Sequence, residues 1–428
     1  PPRSTLFPYT TLFRSSDGSN ILWSTYIGGG AVDNVIGLKV RPDGNLVLLG
    51  GTGSRDFPVT PGAFQVQYGS SSRLSTCFLS IMDSAGTHLK ASTFLGGSSM
   101  ERPYSLAICN NGDIVVGGRV ASVDFPSTAG AYSTIKKSMG YTTSEPGSGF
   151  LVRMDGNLSK VIWGTYFDGS EAESIKGIVL GPNEEIYATG ITHSLDYPVT
   201  PGAHFRVYGD QWKAGDAFFA LFCPEGRRLL WSTYLGGNDV DNGVGIALGK
   251  NGLVVLGGNS MSTDFPVTAG AFQTTYAGNN PSYPDGDCYV TCLRPSHAGV
   301  TRYGTDSPSC LGAVTIYSER AARAGEAGFG FTCWKAPPSS AGLLLLGGRR
   351  TGAPIHAFGA DLWVDPLGLP FVILPAFSDQ AGRCTVPLPL PTSVKGARCH
   401  AQFIWMNTAA CPGKGMLSAS DALEVVVQ

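Results

Sequence analysis

The chain has 428 residues, a formal net charge of −2, 14% charged and 43% hydrophobic residues. That composition excludes a disordered chain and provides no basic footprint for nucleic acid. Gly (58) and Pro (28) are abundant, which suits many short strands and tight turns, and no apolar run approaches the roughly 18 residues of a membrane-spanning helix.

Residues Pro1 to Ser15 (PPRSTLFPYTTLFRS) fit nothing downstream. They lack the basic, apolar and small-residue order of a signal peptide and resemble translated adapter sequence. Residues 1–19 are therefore read as a non-native or disordered leader, with any export signal lost alongside the natural amino terminus. From Asn20 a different pattern begins. Leu22 to Gly29 (LWSTYIGG) has relatives at Ala91 to Gly97 (ASTFLGG), Ile162 to Gly169 (IWGTYFDG) and Leu230 to Gly237 (LWSTYLGG). Each is a β-type run stopped by glycine. Apolar hairpins follow: Gly37 to Gly51 around Asp43-Gly44, Leu106 to Gly118 around Asn111-Gly112, Ile178 to Gly190 around Asn183-Glu184, and Ile246 to Gly258 around Asn251-Gly252. Asn and Gly tolerate the positive-φ positions of tight β turns.

Next comes a nine-residue phrase: Asp56 to Phe64 (DFPVTPGAF), Asp124 to Tyr132 (DFPSTAGAY), Asp196 to His204 (DYPVTPGAH) and Asp264 to Phe272 (DFPVTAGAF), with starts 68, 72 and 68 residues apart. Its prolines argue for an ordered connecting loop. A variable loop then leads to a third strand (Thr76 to Ile81, Gly149 to Met154, Asp216 to Leu221, Asp287 to Cys292), and the next WSTYLGG-like run supplies the fourth. In the last unit that strand is expected at Val300 to Gly304. Four short antiparallel strands per unit predict an all-β, propeller-like repeat, with blades at about 31–97, 98–168, 169–237 and 238–304. Asn20 to Tyr26 is then an orphan outer strand, and the set reads as four units of a larger propeller.

These residues resemble the bacterial SBBP repeats, a β-propeller repeat family marked by STYLGG and DFPVTPGAFQ phrases, over about residues 22–302. Trp231 to Gly237 and Asp264 to Gln273 carry the resemblance most closely. It implies an exported, extracellular or cell-surface protein.

The repeated aspartates Asp56, Asp124, Asp196 and Asp264 read as structural positions, each expected to cap the proline-containing turn that follows it. Asp239 and Asp241 are weak Ca2+ candidates, short of the six to eight oxygens that ion takes. Aromatics in the variable loops (Tyr68, Tyr141, Tyr208, Trp212, Tyr276, Tyr283) are candidate contacts for an extracellular glycan or protein; Tyr208, Trp212, Tyr276 and Tyr283 are the ligand-binding set.

Residues 305–428 form a different module of short strands split by Pro and Gly, for which a β-sandwich-like domain is expected. Val386 to Pro391, Gln402 and Asp421-Ala422-Leu423 resemble the small C-terminal β domain of exported planctomycete-type proteins. Cys310, Cys333, Cys384, Cys399 and Cys411 are widely spaced, which disfavours zinc and predicts disulfides in an exported chain. None of the six histidines sits in a nucleophile elbow. The resulting expectation is a non-catalytic exported scaffold or adhesion protein without cofactor; the alternative is an extracellular polysaccharide hydrolase or lyase with a cleft on the propeller face.

Overall fold

The computed structural model describes residues 21–70, 75–138, 147–181, 184–200, 203–209, 215–249, 253–278, 286–293, 295, 300–303, 308–309, 311–318, 322, 324–325, 327–357, 360–380, 382–407 and 416–427. The leader, Tyr141, Trp212, Tyr283, Cys310 and Cys411 lie outside the described residues. The chain divides into two compact units: residues 1–198, 205–229 and 233–293, and residues 199–204, 230–232 and 294–428.

The repeats form four antiparallel sheets. The first is β1 (Asp33–Val40), β2 (Leu46–Thr52), β3 (Thr76–Met82) and β4 (Leu89–Leu95). The second is β5 (Glu101–Ile108), β6 (Ile114–Val120), β7 (Ser148–Met154) and β8 (Val161–Phe167). The third is β9 (Glu173–Leu180), β10 (Ile186–Thr192), β11 (Asp216–Phe222) and β12 (Leu229–Leu235). The fourth has three strands, β13 (Asp241–Leu248), β14 (Val254–Ser260) and β15 (Asp287–Leu293). Strands in each sheet are ordered as in the chain: tight turns join the first strand to the second and, in the first three sheets, the third to the fourth, and the long loop carrying the nine-residue phrase joins the second to the third. The first strands neighbour one another in series, β1 with β5, β5 with β9 and β9 with β13. Each bulges once against its partner, between Val35 and Gly37, Pro103 and Ser105, Ile175 and Gly177, and Gly243 and Gly245. A bulge at one fixed place bends and twists every inner strand alike.

Sheet packs on sheet through apolar faces. Val47, Leu49, Leu79 and Ile81 of the first share a buried core with Leu106, Ile114, Val116, Phe150 and Val152 of the second. The outer strand of one sheet also rests on the last turn of the next, where volumes compensate. Trp163 of β8 donates its indole N–H to Pro224 O at 3.1 Å; Gly226 below it has no room for a Cβ, which would lie 2.5 Å from the ring. Trp23 stands on Ser84 and Gly86 in the same way, with its N–H to Ser84 O at 3.1 Å. Where the outer strand carries the small Ala91, the turn position is Leu158, buried and at φ 58°. Large over small and small over large fill one volume at native density.

The second unit begins with β16 (Val300–Tyr303), followed by β17 (Pro308–Ser309), β18 (Gly312–Ala313), β19 (Thr315–Ser318), β20 (Gly330–Trp334), β21 (Ala341–Gly347), β22 (Arg350–Ala357), β23 (Ala360–Val364), β24 (Phe371–Phe377), β25 (Cys384–Pro387), β26 (Arg398–Met406) and β27 (Leu417–Val426). A five-stranded sheet, β16-β27-β26-β21-β24, and a three-stranded sheet, β19-β20-β25, contribute to one core. Ile316, Phe331 and Cys333 meet Leu344, Phe403, Trp405 and Val425 there.

Two expectations are corrected. Val300 to Tyr303, expected as the outer strand of the fourth unit, pairs with β27 instead, Val300 opposite Val425 and Tyr303 opposite Ala422. The ten-residue β27 offers a longer edge than β15. The predicted disulfides do not form among the described residues: Cys77, Cys109, Cys223, Cys288, Cys292, Cys333, Cys384 and Cys399 are free thiols. Cys333 and Cys384 face each other across β20 and β25, yet the Cys333 sulfur accepts the Trp405 indole N–H at 3.2 Å. They serve as small apolar core residues.

Candidate functional site

The two ends of the repeat sheets carry different polar chemistry. At one end, where inner strands begin and second strands finish, every repeat builds the same joint. Asp56, Asp124, Asp196 and Asp264 accept the backbone N–H of Gly30, Ser98, Ser170 and Asn238 at 2.8, 2.8, 2.8 and 2.7 Å. Each thus caps a segment 26 residues before it, not the turn that follows it. Ser54, Ser122, Ser194 and Ser262 accept the next amide of the same segment, at 2.8 to 3.0 Å. The preceding glycines fit because they lack a side chain: a Cβ on Gly29, Gly97, Gly169 or Gly237 would lie 2.5 to 2.7 Å from the serine Cβ.

A second carboxylate opens each inner strand: Asp33, Glu101, Glu173 and Asp241. These accept the N–H of Gly29, Gly97, Gly169 and Gly237 at 2.8, 3.2, 3.1 and 2.7 Å, and hydroxyls from Thr52, Ser122, Thr192 and Ser262. Burial pushes the Glu101 carboxyl up to about 7 and that of Glu173 up to about 8, against the serine, threonine and amide donors that favour the ion. Burial likewise raises Asp241. The exposed caps behave oppositely: the Ser98 amide holds Asp124 below the usual carboxylate range. Burial works against Asp196, but the Ser170 amide and hydroxyl outweigh it.

One joint is rewired. Asp216 and Asp287, opening β11 and β15, accept the N–H of Gly209 and Ala277 at 2.8 and 2.7 Å. The first sheet has Thr76 there, donating to Glu101 at 3.1 Å, and the second sheet has Ser148. Its carboxylate comes instead from Asp168, at a position that is glycine in the other copies, and accepts the Lys137 N–H at 2.8 Å and the Ser148 hydroxyl at 2.5 Å. Sequence departures at Ser148 and Asp168 are therefore one exchange across the sheet.

The opposite end, at the first turn of each sheet, holds a cluster made once. Arg153 of β7 donates to Asp113 Oδ2 from Nε at 3.0 Å and to Glu184 Oε2 from Nη1 at 2.9 Å. Glu184 also accepts the Asn110 N–H at 2.7 Å, tying the third sheet to the second. Glu184 has φ 64°, the left-handed conformation that Gly44 (80°) and Gly112 (87°) adopt at the same turn position. A β-carbon there costs about 1 to 2 kcal/mol, and such strain persists where surroundings enforce it. All three charged side chains retain partial exposure, at 12, 11 and 18% for Arg153, Asp113 and Glu184. The neighbouring Cys109 thiol is pushed up to about 12 by burial, so it is no nucleophile.

The other predicted site residues that the structure describes fall at the joint end. Tyr208 is buried, packing edge-on to Tyr234 at 5.7 Å between centroids, and Tyr68 does the same with Phe94 at 5.6 Å. Tyr276 is half-buried. Asp241 spends one oxygen on the Gly237 amide and the Ser262 hydroxyl, and Asp239 caps the Val240 amide at 2.7 Å. No group of three or more metal-ligating side chains occurs among the described residues. Asp113, Arg153 and Glu184 escaped the sequence reading. Their signal was a turn glycine replaced by an acid in one of four copies.

No family model and no curated protein matches the chain. Among solved structures, a protein of unknown function from Dyadobacter fermentans is similar at 12% identity and TM-score 0.34, covering 93% of this chain and 97% of that one. A xylan β-1,4-xylosidase from Bacillus halodurans follows at 9% identity and TM-score 0.27, covering 94% and 84%. A glycoside hydrolase family 43 arabinoxylan arabinofuranohydrolase from Bacillus subtilis follows at 10% identity and TM-score 0.21, covering 98% and 99%. At these TM-scores the likenesses carry no argument about mechanism. The expectation of a non-catalytic scaffold, more an interaction protein than an enzyme, is withdrawn on the single-copy cluster of Asp113, Arg153 and Glu184, held against backbone preference at a turn position that is glycine in the other repeats. No helix among the described residues is long and apolar enough to cross a membrane.

Proposed function

We propose that the chain acts on extracellular polysaccharide as a hydrolase or lyase, from a cleft at the turn end of a propeller-like, SBBP-type repeat unit followed by a β-sandwich-like domain. The observation that carries this reading is the single-copy Asp113, Arg153 and Glu184 cluster, with Glu184 held where the other repeats have glycine. Glycosidic bond cleavage uses two carboxyl groups set at a fixed separation. Arg153 bonds to both and fixes their direction; Asp113 and Glu184 are the reacting pair, and Arg153 is the positioning residue. Tyr276 lies at the far end of the sheets and serves, in this reading, to hold a distant part of a long glycan or a protein partner.

The test is a turnover screen on xylans, other neutral glycans and uronate-containing polymers, reading reducing ends for hydrolysis and unsaturated products for elimination. Glu184→Gln and Asp113→Asn are each expected to lower turnover at least about 100-fold with circular dichroism unchanged. Glycan binding without turnover, or turnover that survives both substitutions, would sink the proposal.

A further inference from the structure

The repeat leaves one run without a sheet and one sheet without its run. Leu22 to Gly29 matches β12 and the glycines after it at seven of eight positions, Ile27 replacing Leu235. In the third sheet that sequence is an outer strand. Here Leu22 to Gly29 belongs to no strand, and Tyr26 is fully exposed, whereas its equivalents Tyr166 and Tyr234 are 0 and 1% exposed. The fourth sheet ends at β15, because β16 pairs with β27. Its face carrying Cys288, Val290 and Cys292 is exposed, where the same face of the first sheet (Cys77, Leu79 and Ile81) is buried against the sheet that follows it. Its loop is bare as well: Phe272 is fully exposed, and Phe265 is only partly buried where Phe57, Phe125 and Tyr197 are at most 3% exposed.

We infer that residues 22–28 of a second copy of this chain add to β15 as the missing fourth strand. The receptors are present. Tyr166 Oη bonds Ser122 O and Phe125 N–H, both at 3.1 Å; Tyr234 Oη bonds Ser194 O and Tyr197 N–H at 2.8 and 3.1 Å. The same positions in the fourth sheet are Ser262 O and Phe265 N–H, waiting for Tyr26. Thr93, Thr165 and Thr233 accept the N–H of Gln65, Ser133 and Phe205 at 2.8 to 2.9 Å; Thr25 would accept that of Gln273. The register follows from β3 with β4, where Cys77 faces Leu95 and Phe78 faces Phe94. Cys288 then faces Ile27, and Tyr289 faces Tyr26.

The occupant is a second copy because the chain's own run stands at the other end of the series. Trp23 is seated on Ser84 and Gly86 of the first sheet, as the outer strand of a preceding sheet would be. The exposed Phe272 extends the match. Tyr132, at its position in the second sheet, stacks edge-on against Phe222 of the following sheet at 5.6 Å, and its N–H bonds Gly226 O at 2.9 Å. Phe272 would meet Met82 and Gly86 of the second copy beside Trp23. Such head-to-tail contact is heterologous, so it builds closed rings or open chains of copies, with backbone pairing supplying affinity.

Sedimentation of the full chain over a hundredfold concentration range is expected to show association. Tyr26→Ala and Val290→Lys, both at exposed positions, should abolish it without loss of fold. Oxidised Ile27→Cys should give covalent dimers through Cys288 on a non-reducing gel. A covalent monomer would show that the chain closes on itself and overturn the second-copy assignment. A species that stays monomeric, or association unmoved by both substitutions, would overturn strand addition altogether.

Discussion

The two ends of the repeat sheets are built on opposite rules. At the joint end, an aspartate, a serine, a glycine and a second carboxylate recur in all four copies with almost unchanged distances. Even the exchange of Asp168 for Asp216 preserves the carboxylate while moving its origin. At the turn end, Glu184 accepts backbone strain to bring one carboxylate to one arginine, and among the described residues no other copy repeats the cluster. A contact made four times is needed by every sheet, and selection for folding suffices to explain it. Leu158 accepts the same backbone strain to fill the core beside Ala91; Glu184 spends it on partly exposed charged groups, which packing does not require.

The largest expected effect on stability comes from the joint glycines. Gly169→Ala drives a Cβ to 2.5 Å from Ser194 Cβ and 2.6 Å from Asp196 Oδ1, and neither neighbour can retreat without breaking its cap. Overpacking of this kind costs about 2–3 kcal/mol. Gly130→Ala, in an open turn at φ 80°, serves as the control and should cost only about 1 kcal/mol. Urea unfolding of both variants measures the gap. Equal costs would mean that the close approach at the joint is not a structural requirement.

Much of this architecture was legible in the sequence, and the parts that were not share a cause. Strands and hairpins showed because alternating apolar residues and Asp-Gly or Asn-Gly turns are local signals. The phrase beginning at Asp56 was visible as a repeat, but its acceptor role points 26 residues backwards, which no local rule reveals. The carboxylates at Asp33, Glu101, Glu173 and Asp241 repeat at the spacing of the phrase, yet alternate between Asp and Glu and open apolar strands, so they did not stand out. The fate of Val300 to Tyr303 depended on competition between two distant edges, β15 and β27. Glu184 was in plain view within the hairpin pattern as the one turn lacking its glycine. Its meaning required Arg153, which only sheet-to-sheet packing brings near.

The next effect is a pH dependence set at the joint end. Glu101 and Glu173 bind protons more tightly folded than unfolded, at about 7 and about 8 against an ordinary 4.5. Their stabilisation is therefore complete below about 4.5 and is lost as pH rises through 7 to 8. Asp124 and Asp196, with lowered values, act in the other direction and lose their contribution only as pH falls through the acid range. The thermal midpoint should thus fall by roughly several degrees between pH 5.5 and 8.5. Glu101→Gln with Glu173→Gln, mimicking the protonated pair, should flatten that fall. A midpoint that rises across the interval in the parent chain would mean that the buried pair is ionised and paired in a way the joint geometry does not provide.

The smallest expected change in stability belongs to Glu184→Gly, and it divides the two ends most cleanly. Glycine relieves about 1 kcal/mol of left-handed strain. It forfeits the bond to Arg153 and the cap on the Asn110 amide, each a partly exposed interaction worth about 1 kcal/mol. The balance is a loss of only about 1 kcal/mol, so the variant should stay close to the parent in stability while any turnover of polysaccharide is lost. Were the turn end merely one more joint, the opposite would hold: stability would drop by about 2–3 kcal/mol, as at Gly169, and catalysis would fall only in proportion to the unfolded fraction. Measuring unfolding and turnover on the same preparation distinguishes a residue kept for the fold from one kept despite it.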